Sequence, residues 1–139
     1  MRELPRQLSA DELAGLFSGR TRLVERLAEH EDPLGVARDV VASASEDEKA
    51  EALAAHPRIG ERSAEQHGDD PCVLAELAAM NAAYEKRFVF RFVVFVNGRS
   101  RAELLPVLRE RLRRTRSEEL ATGCDDLVSI ALDRWQKAP

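Results

Sequence analysis

"RFVFRFVVFV" (residues 87–96) is the stretch on which the fold turns. Phe88, Phe90, Phe92 and Val94 alternate, with Arg91 on the other side. That period of two, in a run of aromatic and β-branched residues, predicts extended backbone. A strand needs a partner, and the sequence on either side reads as helix. The expectation is therefore an all-α fold, one compact multi-helix domain, crossed by a single buried extended segment near 88–97. Backbone groups left unpaired by such a segment could serve a ligand.

The helical reading rests on caps and spacing. "SADE" (9–12), "SEDE" (45–48) and "SRAE" (100–103) each place a serine three residues before a glutamate, the pattern of a capping box. Asp70 followed by Pro71 marks another helix start. Helices are predicted over "RTRLVERLAEH" (20–30) and "PLGVARDVVASA" (33–44), and from about Ser117 to Gln136. The last carries Leu120, Cys124, Leu127, Ala131 and Trp135 on one face, with Arg134 at its border. The helix opened by Asp70 has the stripe Leu74, Leu77, Ala78, Asn81, Tyr84 and Phe88. Asn81 is its odd member, read as a core amide or as a support for a site.

The 139 residues fit a single domain, residues 1–139, with enough chain to bury a core without staples. Apolar residues are 44% and charged residues 33%, a globular balance that argues against disorder. The net charge of −4 gives no general grip on nucleic acid, and the basic run "RERLRRTR" (109–116) reads as a solvated helix face. Cys72 and Cys124 form no CxxC pair; two buried thiols in a reducing cytoplasm are expected. The start, "MRELPRQLSADEL", has no apolar run, so no leader is expected. The longest apolar run, "FVVFV" (92–96), is too short to span a bilayer.

"AHPRIGER" (55–62) holds the best candidate for chemistry. A proline pushes the residue before it out of the α region, so a helix should end at or before His56. Gly60 can supply a left-handed turn. An imidazole at such a break suits a proton donor and equally suits an ordinary helix stop. His30 should face solvent, and His67, beside Gly68, reads as a helix end. His56, Glu65 and His67 could form a two-histidine, one-carboxylate metal set, but the spacing matches no HExxH pattern, and none is expected. No GxSxG, phosphate loop or GxGxxG is present.

"AHPRIGER", the "EQ" of 65–66, "NAAYEKRFVFRFVV" (81–94) and "IALDRW" (130–135) together resemble the OHCU decarboxylase family. The resemblance runs over nearly the whole chain. It implies an all-helical homodimer in the cytoplasm that needs no cofactor or metal. The implied reaction is decarboxylation of 2-oxo-4-hydroxy-4-carboxy-5-ureidoimidazoline to (S)-allantoin in uric acid breakdown. A catalytically inactive helical interaction module is the alternative. The resemblance puts the catalytic pair on His56 and Glu65. It puts substrate binding on Pro57, Ser63, Gln66, Arg134 and the segment Val94, Phe95, Val96, Asn97 and Gly98. It also marks two departures: where the family reads FGFPF or similar, this chain has "FVFRF", with Val89 and Arg91.

Overall fold

The computed structural model describes residues 7–56 and 70–137. Among them are seven helices and no strand: α1 (Ala10–Phe17), α2 (Arg22–Ala28), α3 (Ala37–Ser43), α4 (Glu46–Ala54), α5 (Pro71–Phe88), α6 (Arg101–Arg111) and α7 (Arg116–Lys137). All three serine capping boxes form. Ser9, Ser45 and Ser100 each accept from the backbone N–H of the glutamate three residues on, which reaches back to the cap. The Asp70 side chain accepts from Cys72 N with Pro71 in the first turn, and the Thr21 hydroxyl starts α2 in the same way. Each cap satisfies donors that the first turn of a helix leaves open.

Helix α7, with 22 residues and a length of about 33 Å, is the spine. It packs against α1, α3 and α4, while α5 lies along α6. Leu120, Cys124, Leu127 and Ala131 are buried, as their spacing predicts, with Trp135 at the edge of the core. Arg26 of α2 forks onto Glu48 of α4 at 2.7 and 2.9 Å, tying those two helices together. No helix among the described residues is long and apolar enough to cross a membrane.

Three expectations change. Phe88 ends α5 rather than starting the crossing, because Val89 caps that helix in the left-handed region at φ 64°. Ala78 and Cys72 are exposed: α5 buries a narrower stripe, Leu77, Asn81, Tyr84 and Phe88, and Cys72 lies in its first turn off that stripe. Cys124 is the buried thiol, and burial pushes it up to about 11.

The basic run 109–116 is not simply a solvated face. Arg111 continues the buried Leu104 and Leu108 stripe of α6 into the core. There its Nε donates to Glu119 Oε1 at 2.7 Å, and Glu119 is 0% exposed. The Tyr84 hydroxyl donates to the same oxygen at 2.6 Å, and Arg114 holds the other at 3.0 Å. Burial, then the Glu119 bond, push the Tyr84 hydroxyl upward, so it stays a donor. The Arg111 guanidinium also lies 4.5 Å from the Phe92 ring centroid.

Candidate active site

Residues 90–96 are neither helix nor strand, yet Phe90, Phe92, Val93 and Val94 are buried. Their rings pack on Tyr84, with centroids 5.1 Å away for Phe92 and 6.0 Å for Phe90. With no neighbouring strand, charged side chains take up the backbone. Arg111 Nη1 donates to Val93 O at 2.8 Å, Phe95 N donates to Asp126 Oδ2 at 3.0 Å, and Arg99 Nη2 donates to Phe95 O at 2.6 Å. Burial raises the Asp126 carboxyl, with the Phe95 N–H and Arg111 pulling the other way. The segment turns at Asn97 and Gly98, both with positive φ and both exposed.

His56 lies directly after the Ala55 cap of α4 and is 4% exposed. Its N–H bonds Leu53 O at 3.2 Å, which closes the helix at the point the sequence predicts. The end of α1 meets it there. An added Cβ on Gly19 would sit 3.1 Å from Ala55 Cβ, so the small residue permits the approach. Ser18, the cap of α1, puts its hydroxyl 3.4 Å from His56 Nδ1. Arg134 comes across from α7, donating from Nη1 to Ser18 Oγ at 2.7 Å and to Leu16 O at 3.0 Å. Arg91 reaches the far side and donates to the carbonyls of Ala54 and His56.

Two helices thus end at one place, each with a guanidinium on its carbonyls. A helix C-terminus by itself favours a protonated imidazole, by about 0.3–1 kcal/mol. Here burial first, then Arg134 and Arg91, push His56 down to about 4. The imidazole is neutral at neutral pH. His56 Nε2 is buried and has no hydrogen-bond partner among the described residues.

The structure therefore brings together His56 and Arg134, 78 positions apart in the chain, through Ser18. Val94 to Gly98 form the turn held by Arg99 and Asp126. Pro57, Ser63, Glu65, Gln66 and His67 lie outside the described residues, and with them most of the metal set. Among the described residues no three histidine, cysteine, aspartate or glutamate side chains group to hold a metal. His30 is exposed and Asn81 buried. Sequence reasoning missed Ser18, Arg111 and Glu119. The "SG" after α1 was a turn signal for the first, and the spacing of Leu104, Leu108 and Arg111 was the signal for the second.

Residues 2–136 match the OHCU decarboxylase family. The chain belongs to the OHCU decarboxylase family. A crystal structure of an OHCU decarboxylase, determined in the presence of (S)-allantoin, superposes with a TM-score of 0.79 at 28% identity, covering 91% of this chain and 96% of that one. An (S)-allantoin synthase shares the fold, with a TM-score of 0.72 at 22% identity over 91% of this chain and 48% of that one. Among curated proteins, the uric acid degradation bifunctional protein TTL of Arabidopsis thaliana is 30% identical over 63% of this chain and 32% of its own length. The uric acid degradation bifunctional protein of Bacillus sp. (strain TB-90) is 25% identical over 94% of this chain and 30% of its own. The chain spans about a third of the length of these curated relatives. The all-helical architecture is that of the OHCU decarboxylase family.

Proposed function

We propose that the protein decarboxylates 2-oxo-4-hydroxy-4-carboxy-5-ureidoimidazoline to (S)-allantoin, as a single-domain homodimer in the cytoplasm. The substrate carries its carboxylate on the carbon that bears a hydroxyl, next to a C=N carbon. When the bond to CO2 breaks, its electron pair moves into that C=N system. The hydroxyl then gives up its proton as the carbonyl forms, and the neighbouring carbon takes a proton on one face. The substrate is its own electron sink, so the chemistry asks for no cofactor.

The observation that carries this reading is a buried, neutral imidazole at a helix break, flanked by two guanidiniums. Neutral His56 donates a hydrogen bond to the substrate and relays protons without starting as a cation. Arg134, whose Nη1 holds Ser18 Oγ and Leu16 O, brings its cation to the substrate carboxylate. Glu65 accepts the hydroxyl proton, Gln66 pairs with the ureido edge, and the backbone of Val94–Gly98 meets the flat ring amides. Pro57 and Ser63 also bind the substrate in this reading.

Circular dichroism of the product formed from freshly generated substrate tests the proposal. Spontaneous decay gives racemic allantoin, since water favours neither face. Wild type should give one enantiomer, and His56→Asn should be about 10²–10⁴-fold slower with product falling toward the racemate. Full optical activity at an undiminished rate in the variant would show that His56 merely ends a helix. A wild type without activity would leave the inactive helical module. Light scattering of the wild type tests the dimer.

A further inference from the structure

Ser18 caps α1 in the left-handed region, at φ 65° and ψ 17°. Glycine takes that conformation most easily, and here a glycine stands one position later, at Gly19. Strained residues of this kind persist where the surrounding structure holds them, often at functional sites. Around Ser18 that structure is specific. Arg134 Nη1 donates to its oxygen at 2.7 Å, and a guanidinium has only donors to offer. The hydroxyl keeps its own proton to give, and His56 Nδ1 stands 3.4 Å away. An imidazole that accepts at Nδ1 carries its proton on Nε2.

We infer that Ser18 is a positioning residue that fixes His56 in the Nε2–H tautomer and aims that N–H at the substrate. The inference rests on the decarboxylase reading above and deepens it. Ser18 touches no reacting atom; it acts through His56. Its left-handed backbone is the cost of placing a hydroxyl between Arg134 and the imidazole, where glycine would turn the chain more easily and place nothing.

The test compares wild type with Ser18→Ala and Ser18→Gly. Two-bond proton–nitrogen spectra of the histidine rings report the tautomer without any substrate. Wild-type His56 should show a bare Nδ1 and a protonated Nε2, and both variants should show mixed tautomers. With fresh substrate, kcat should fall on the order of 10²-fold in both, with KM changed far less. Ser18→Gly should melt at or above Ser18→Ala, because it meets the turn without a Cβ. That separates strain from function and keeps the test alive if the alanine variant folds poorly. Wild-type kcat in Ser18→Gly, an unchanged tautomer in both variants, or a wild-type His56 protonated at Nδ1 would each overturn the inference. A wild type without decarboxylase activity overturns the proposed function instead, and the tautomer is then decided by the spectra alone.

Discussion

Arg91 lays its guanidinium across the carbonyl end of α4, donating to Ala54 O at 2.9 Å and to the carbonyl of His56. It thereby pins the 90–96 crossing to the residue that the proposed chemistry depends on. It also brings a positive charge beside the imidazole. A proline, which the family resemblance puts at this position in FGFPF-like sequences, has no guanidinium and could not make this tie.

Arg91→Ala should therefore act twice. Losing charged hydrogen bonds to two carbonyls should cost about 1.5–3 kcal/mol of stability. Removing one of the flanking charges should also move the His56 pKa upward from about 4. Denaturant melts and a proton NMR titration of the His56 ring measure the two effects. An unmoved titration would show that Arg134 and burial set the pKa alone.

Stability should fall in mild acid through His56. Folded His56 titrates near 4 and an unfolded histidine near 6.5. Above pH 6.5 neither state binds the proton. Between 6.5 and 4 the unfolded chain binds it and the folded chain does not, so the native state loses on the order of 3 kcal/mol across that window. His56→Asn removes the group. Urea melts at pH 7.5 and 4.5 should show wild type losing about 2–3 kcal/mol more than the variant; equal losses would place the folded pKa near its ordinary value.

Glu119 is the acceptor at the centre of the core. Glu119→Ala leaves the buried Arg111 with only the more distant Asp126 carboxylate, at 3.6 Å, as counter-charge and should cost about 3–5 kcal/mol. Tyr84→Phe removes one donor from a carboxylate that keeps Arg111 and Arg114, and should cost about 1–2 kcal/mol. The order of the two in chemical denaturation is the check. A larger loss in Tyr84→Phe would mean that the hydroxyl bond to Glu119, not the charge pair, governs the network.

Val89 holds a β-branched side chain at φ 64° while 76% exposed. Family sequences reading FGFPF have glycine there. Val89→Gly gives up almost no packing and relieves a left-handed backbone that costs an L-residue about 1–2 kcal/mol. The greater freedom of the unfolded glycine offsets part of that. The variant should gain about 1 kcal/mol, seen as a rise in Tm of about 3–5 °C. A lower Tm would show that the valine side chain makes a contact worth more than its strain.

The sequence by itself determined the all-helical plan and where the helices begin. Ser9 with Glu12, Ser45 with Glu48, Ser100 with Glu103, and Asp70 with Pro71 are partners within three residues. Their bonds form wherever the chain turns helical, so their spacing is enough to read them. The stop at His56 was legible for the same reason, since a proline acts on the residue beside it. Only the tertiary structure decided what lies opposite each group. Arg111 read as one charge in a basic run until α7 placed Glu119 beside it. His56 read as a proton donor or a plain helix stop until burial and two arginines, 35 and 78 positions away, made its charged form costly. Ser18 read as part of a turn until Arg134 arrived from the other end of the chain. Hydrogen bonds inside a helix are local, but desolvation and charge depend on which distant elements share the same space.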